Sequence, residues 1–291
     1  MVFNSLNMNE LLTHQRTETE IMDTRTPVLI SGLPGRMATL VAKALAQDEH
    51  YNLLPIAMTS ARHRRTSQTL GGNHRVNLVD YCPFDLGRGT IAVDYTTPQS
   101  AETNAISYTH LRIPFVMGTT GGDREAIENM VRNSEISAVI APNMAIEVVE
   151  LQDELQRLIE TTPNAFQGWH MTIRESHQAA KRDVSGTARA FQVQLGRLGA
   201  SLEGEIESIR DPEVQRQLGI QSVDGHAYHW ITLTSPNGET REFTTAIEGR
   251  QPYVEGTLMA IRFLSRRMRE GSHGVVFTMS DVIRDGREVT E

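Results

Sequence analysis

At 291 residues the chain is long enough for two domains, each with its own core. Apolar residues make up 39% with no run of membrane-span length, and a formal charge of -8 leaves no electrostatic footprint for nucleic acid. The single cysteine, Cys82, excludes an internal disulfide, and no basic-then-apolar leader precedes Thr26, so a soluble enzyme of a reducing, cytoplasmic setting is expected.

Residues 1–26 are polar and read as a flexible extension. Pro27–Ser31 is a short apolar run that leads at once into Gly32-Leu-Pro-Gly35-Arg36-Met37, and Ala38–Ala46 follows with apolar residues at helical spacing. Strand, glycine turn and helix in that order suit a dinucleotide: the glycines let backbone approach a pyrophosphate, and the helix N-terminus meets its charge. Ala38 stands where a third glycine is usual and Pro34 lies inside the turn, so the turn alone does not decide. Tyr51–Met58 reads as a second strand whose tip carries Ser60, Arg62, Arg64 and Arg65 and no acid. That tip faces the adenosine ribose in dinucleotide folds, and basic residues there lean toward the 2'-phosphate of NADP.

Gly71–Asp80 reads as a loop with a short edge segment. Further strands are expected at Thr90–Thr96, Ile113–Gly118 and Ile136–Ala141, separated by helices at Ser100–Leu111 and Asp123–Asn133. Their ends are small and polar: Asp94-Tyr-Thr96, Gly118-Thr119-Thr120-Gly121 and Ala141-Pro-Asn143-Met144. In a parallel two-sided sheet ligands lie beyond such carboxyl ends. The first half is therefore α/β, a Rossmann-like dinucleotide-binding domain over residues 27–145.

Ile146–Thr161 is an amphipathic helix that crosses into a second unit, residues 146–250. Strands at Trp169–Glu175, Glu205–Arg210, Ala227–Thr234 and Glu239–Glu248, with a helix after Thr187, make an α+β domain on a mixed or antiparallel sheet. Asn237-Gly238 is the reverse-turn signal that makes a hairpin of the last two strands. If the sheet face away from the helix is apolar it needs a partner, most simply other subunits. Residues 251–291 hold an apolar helix at Thr257–Leu264 and a tail expected to return to the dinucleotide-binding domain.

The chemistry is gathered in Glu175-Ser-His177-Gln178-Ala-Ala-Lys181-Arg-Asp183-Val-Ser185-Gly186-Thr187. A strand runs into this loop and a helix leaves it, so backbone N–H groups at the helix start, capped by Ser185 or Thr187, suit an anionic ligand. His177 and Lys181 add positive charge and movable protons. The chain has only two lysines, Lys43 and Lys181, among 28 basic residues, and an amine titrates in ways a guanidinium does not. Glu175 or Asp183 is placed to orient His177 or Lys181. His226 and His229 read equally as substrate ligands or as structural histidines, and no Cys/His/Asp grouping has metal-site spacing.

These motifs together resemble the dihydrodipicolinate reductase family, in its plant-type branch, from Val28 to Arg284. The glycine turn 32–37, Gly118–Gly121, Ala141–Met144 and above all the Glu-x-His…Lys-x-Asp…Ser-Gly-Thr run carry the resemblance. It implies hydride transfer from NADPH, or from NADH, to a cyclic imine dicarboxylate in lysine and diaminopimelate biosynthesis, by a homotetramer built through the second-domain sheets. It implies His177 as the catalytic histidine and Lys181 as the proton-supplying lysine, with Gln178, Ser185, Gly186 and Thr187 on the substrate. Gly32, Gly35, Arg36, Met37, Ser60, Arg62, Gly118, Thr119, Thr120, Asn143 and Met144 are the cofactor side. Gln178 stands where bacterial members carry a second histidine, and Glu147 where they carry a glycine. An acid at 147 facing the cleft would repel a dicarboxylate. Three other readings stay open: a reductase of another cyclic imine acid, a catalytically silent scaffold, and a regulator that binds NADPH without turnover.

Overall fold

The computed structural model describes residues 25–72 and 74–288, so the extension expected over residues 1–26 falls almost wholly outside them. β1 (Thr26–Ser31) turns into α1 (Arg36–Gln47), followed by β2 (Tyr51–Met58), β3 (Ser67–Thr69), β4 (Arg75–Val79), β5 (Ile91–Asp94), α2 (Pro98–His110), β6 (Phe115–Met117), α3 (Arg124–Arg132) and β7 (Ala138–Ile140). α4 (Ile146–Thr161) leads to β8 (His170–His177), α5 (Gly186–Arg197), β9 (Ser201–Leu202), β10 (Glu207–Ile209), α6 (Pro212–Gln217), β11 (His226–Thr234) and β12 (Thr240–Glu248). Then come α7 (Gln251–Arg269), β13 (Val276–Phe277) and α8 (Met279–Glu288).

The first sheet has the order β13-β7-β6-β5-β1-β2-β4-β3, parallel at every pair except β3–β4. A parallel sheet must be covered on both faces. Strand alternation supplies this: Val28, Ile30, Ile91 and Val93 bury into a core shared with Val41, Leu45, Ile261, Leu264 and Val282 of α1, α7 and α8. Leu29, Ala92, Phe115 and Met117 bury on the other side with Ala101, Tyr108, Ile127 and Val131 of α2 and α3. Each fully buried aliphatic or aromatic side chain contributes roughly 1.5–3 kcal/mol, and a one-residue register slip would exchange the two faces. The strand order reverses at β1, between β2 and β5, which opens a crevice beyond the ends of β1 and β5.

The segment before Asp80 differs from the expected edge. Val76 and Leu78 are buried on one side of β4, which pairs with both β2 and β3, so β3 is the edge strand instead. The hairpin turns at Ser235–Gly238, between the two strands expected to flank it. Gly238 N–H donates to Ser235 O (3.0 Å), leaving Pro236 and Asn237 as the central pair and Gly238, at φ +85°, in the left-handed position that closes the loop.

In the second sheet, ordered β10-β8-β11-β12, the central strands are antiparallel and β10 joins β8 in parallel. α5 covers one face through Ala188, Phe191 and Leu195, packed on Met171, Ile173, Ile231 and Ile247. The opposite face is mixed rather than apolar: Thr172, Thr232 and Glu242 form one cross-strand row, and Arg174, Trp230 and Thr244 the next. α7 ties the two units together. Tyr253 packs on both cores, and Gly256 lets the helix reach the 141–144 loop, where a Cβ would collide with the Met144 carbonyl oxygen.

Candidate active site

The loops at the ends of β1, β5, β6 and β7 face the 177–187 loop across one cavity of about 720 Å³. Met37, Tyr95, Gly118, Thr120, Asn143 and Met144 line it from one side, and His177, Gln178, Lys181, Ser185, Gly186 and Thr187 from the other. A second cavity of about 580 Å³ shares Tyr95 and runs past Gly32–Gly35, Ser60, His63 and Asp80. Arg36 and Arg62 are exposed and line neither cavity, and Thr119 is likewise outside both linings.

The chain fits a dinucleotide across these cavities. α1 begins at Gly35 with no side-chain cap and no acid in its first turn, so its leading N–H groups are suited to an anion. Gly32 sits at φ +113°, where a side chain would also collide with the Tyr95 carbonyl. Gly118 has no Cβ to strike the Tyr95 ring, which lies against it. The Tyr95 hydroxyl pairs with Thr257 Oγ1 (2.5 Å), and burial pushes its pKa up to about 12.

Thr119 is turned inward, toward a buried carboxylate. Asp94 accepts from Thr119 Oγ1 (2.6 Å), Thr96 Oγ1 (2.7 Å), Thr96 N–H (3.1 Å), Asn104 Nδ2 (2.8 Å) and the Tyr108 hydroxyl (2.9 Å). The hydroxyl expected on the cofactor thus holds the 95–96 and 118–119 loops together. Asp80 adds a group that the β2 tip does not supply. The tip of β2 holds no acid of its own, but β4 brings Asp80 into the same cavity, paired with Arg64 at 3.1 Å.

On the facing side β8 alternates Met171, Ile173 and Glu175 inward, so Glu175 is a fully buried carboxylate. Burial opposes its charge, yet hydrogen bonds from His177, Arg210 and Ser208 prevail and hold it well below the usual carboxylate range. His177 Nδ1–H donates to Glu175 Oε2 (2.6 Å), since a carboxylate only accepts, which leaves Nε2 as the ring nitrogen available to the cavity. Of the two acids named as possible orienters, the structure selects Glu175; Asp183 is exposed. Lys181 lines the cavity, and among the described residues no carboxylate pairs with its ammonium.

Ser185 caps α5. Its hydroxyl accepts from Thr187 N–H (3.2 Å) and Ala188 N–H (3.5 Å), so its own hydrogen goes to His229 Nε2 (3.1 Å). This commits a hydroxyl that was expected to meet a substrate carboxylate; Gly186 and Thr187 remain open to the cavity. His229 donates from Nδ1 to Thr245 (2.9 Å), and burial, followed by the charge of His177, lowers its pKa to about 3. It is a structural, neutral histidine. His226 lines the cavity, is also lowered by burial, and hydrogen-bonds Ser176 (2.8 Å). Asn143 Nδ2 reaches Thr187 Oγ1 (3.4 Å), a direct bond between the two walls.

Arg250 and Tyr253 also line the cavity, and Arg210 and Gln215 stand behind it; none was singled out from the sequence. One signal was available for Arg210: an inward-facing Glu175 on a buried strand calls for a cation. Glu147 is exposed and off the cavity, and Arg174 lies on the outer sheet face against Glu207 (3.0 Å). Neither meets a ligand in the cleft.

Residues 26–144 match the family described as dihydrodipicolinate reductase, N-terminus, and residues 153–283 match dihydrodipicolinate reductase, C-terminus. A protein of Oryza sativa subsp. japonica, named probable 4-hydroxy-tetrahydrodipicolinate reductase 2, chloroplastic, is 37% identical over 278 residues, which span 89% of this chain and 83% of the relative. An Arabidopsis thaliana protein, 4-hydroxy-tetrahydrodipicolinate reductase 1, chloroplastic, is 36% identical over 271 residues, 89% of this chain and 78% of the relative. Among solved structures, a dipicolinate-bound dihydrodipicolinate reductase from a Paenisporosarcina species shares the fold, with TM-score 0.63, 16% identity and coverage of 87% of this chain and 97% of that one.

Proposed function

The chain belongs to the dihydrodipicolinate reductase family, and from that premise we propose how its cleft performs the reaction. It is an NAD(P)H-dependent oxidoreductase that reduces 4-hydroxy-tetrahydrodipicolinate, a cyclic imine dicarboxylate, to tetrahydrodipicolinate in lysine and diaminopimelate biosynthesis. The observation that carries the residue roles is the meeting of Gly118, Thr120 and Asn143 with His177, Lys181 and Thr187 around one cavity.

The net reaction exchanges a ring hydroxyl for hydrogen, so a hydride and a proton enter and water leaves. The reduced nicotinamide supplies the hydride. The Lys181 ammonium, with no carboxylate among the described residues competing for it, donates a proton to the ring nitrogen, and protonation there makes the ring a better hydride acceptor. His177, held by Glu175 with Nε2 free, places a second proton-carrying group on the same side. Gly186, Thr187 and the start of α5 receive one substrate carboxylate, and Arg250 is the cation available to the other.

NADPH is the preferred reductant in this reading, with NADH accepted. Ser60 lines the second cavity, and Arg62, Arg64 and Arg65 crowd the same loop, while the pairing with Arg64 offsets the charge of Asp80. The assembly is a homotetramer through the exposed face of the second sheet, where Tyr228 and Trp230 stack at 5.3 Å and Arg174 lies over Trp230 at 5.8 Å. Sedimentation of Trp230→Arg tests this: a shift to smaller species supports it, and an unchanged profile removes this face from the interface.

The deciding experiment follows NADPH absorbance with freshly generated 4-hydroxy-tetrahydrodipicolinate. Lys181→Ala is expected to lower kcat about 10²–10⁴-fold with the Kd for NADPH within about twofold. Undiminished kcat would remove Lys181 from the proton transfer.

A further inference from the structure

We propose that Arg210 is a positioning residue for this reaction, fixing His177 through Glu175 and Lys181 through the backbone of its loop. The proposal rests on the roles given above to His177 and Lys181.

Arg210 lies beyond the end of β10, and strand register decides what it meets. β10 pairs Ser208 with Glu175 and Ile209 with Ser176, which brings Arg210 alongside His177. A guanidinium has five N–H donors, and all five are engaged. Nη1 donates to Glu175 Oε2 (3.0 Å) and Ile209 O (3.0 Å), and Nη2 to Glu175 Oε1 (2.5 Å) and Asp183 O (3.1 Å). Nε donates to Lys181 O (2.7 Å). Nothing is left for a substrate anion, so the residue acts through its neighbours. Gln215 works in the same direction, its amide donating to His177 O (2.8 Å) and Ile209 O (3.2 Å).

Stability alone does not account for this arrangement. An ion pair like this one, its carboxylate wholly buried and its guanidinium partly so, is commonly matched or bettered by apolar packing of the same volume. What apolar packing does not reproduce is a planar fork that holds a carboxylate on one edge and two loop carbonyls on the other. That fork sets the distance between a histidine on β8 and a lysine four residues later, in a loop with no regular structure of its own. Lysine at 210 retains the charge but offers three donors from a single point.

The test is a double-mutant cycle on the full chain. Arg210→Lys is expected to lower kcat about 100-fold while the Kd for NADPH, read by fluorescence, stays within about twofold. In a Lys181→Ala background the same change is expected to cost distinctly less, about tenfold, because one of the two groups it positions is gone and His177 alone remains to be misplaced. Equal losses in the two backgrounds, or an undiminished kcat in Arg210→Lys, overturn the inference. A Lys181→Ala protein with full kcat overturns the reading of Lys181 itself and this inference with it, so the two failures are distinguishable. Should Arg210→Lys melt far below the parent, Ser208→Ala removes only one donor from Glu175 (2.6 Å). It is expected to lower kcat about fivefold in the parent and to have no further effect on His177→Ala; equal losses in both overturn the inference.

Discussion

Asp94 and Glu175 are both wholly buried carboxylates at the end of a strand, one on each side of the cleft, and they are satisfied in opposite ways. Asp94 takes its hydrogen bonds from neutral donors: two threonine hydroxyls, a backbone N–H, an asparagine amide and a tyrosine hydroxyl. Glu175 takes its chiefly from a guanidinium and an imidazole, with a serine hydroxyl and the Ser185 backbone N–H beside them. Neutral donors hold a loop in place without carrying a mobile proton. Burial, followed by the charge of Asp94, keeps Tyr108 protonated well above its ordinary range, so that hydroxyl does not titrate near neutrality. The Glu175 network includes an imidazole whose second ring nitrogen faces the cavity, and it lies beside the lysine. One wall of the cleft is thus held by neutral donors, and the facing wall by a charged network.

The comparison breaks first at the ion pair. Glu175→Leu leaves the partly buried Arg210 guanidinium without its counter-charge and is expected to cost about 3 kcal/mol of unfolding free energy, measured by urea titration. A cost near zero would mean that the pair is replaceable by packing and that the contrast with Asp94 has no energetic content. Asp94→Asn is the matching change on the other side, and it should cost less, roughly 1–3 kcal/mol, because hydroxyl donors can turn to accept from the new amide. Its functional signature should also differ. The Kd for NADPH is expected to rise as the 95–96 and 118–119 loops loosen, with kcat at saturation kept within about threefold. A fall in kcat at unchanged Kd would place Asp94 in the chemistry instead.

The two networks were unequally legible in the sequence. The strand ends that form the binding wall are local: Gly32–Met37, Gly118–Thr120 and Ala141–Met144 each stand in one stretch of chain, after an apolar run that announces the strand. The Glu175–Thr187 loop is local too, and its elements could be read for the same reason. Arg210 was not, because the sequence marks Glu205–Arg210 as a strand but does not give its parallel pairing with β8, through which Arg210 reaches Glu175 across 35 residues. Asp80 was missed because β4 is too short and polar to read as an inner strand, although Val76 and Leu78 alternate inward. The Ser185 hydroxyl was assigned to substrate because its competitor, His229, comes from a strand 44 residues away.

His229 gives the comparison a pH axis. Its folded pKa is lowered from 6.5 to about 3, chiefly by burial, so between those values the unfolded chain binds a proton that the folded chain refuses. Stability present above pH 6.5 is therefore lost as pH falls, by about 1.4 kcal/mol per pH unit for one such group, and His226 is shifted in the same direction. Glu175 adds its own loss only below 4.5, where the unfolded carboxylate begins to protonate. His229→Gln should flatten the slope between pH 6 and pH 5 in urea titrations while Glu175→Gln leaves that window unchanged. An unaltered slope in His229→Gln would mean that other groups govern acid unfolding.

A third carboxylate supplies the exposed limit of the series. Asp80 pairs with Arg64 at 3.1 Å, but the two side chains are 31% and 55% exposed, and a solvated pair of this kind contributes at most about 1 kcal/mol. Asp80→Asn should therefore leave the unfolding free energy within about 0.5 kcal/mol, in contrast to both buried acids. Its effect belongs to the cofactor. Asp80 lines the cavity that Ser60 and His63 share, where an acid accepts a hydrogen bond from a ribose 2'-hydroxyl and repels a 2'-phosphate. Asp80→Asn is expected to weaken NADH and tighten NADPH by a few-fold each, about 0.5–1 kcal/mol, in fluorescence titrations of the two cofactors side by side. If the ratio of the two affinities does not move, Asp80 does not face the ribose, and the proposed preference for NADPH rests on the arginines of the 60–65 loop alone.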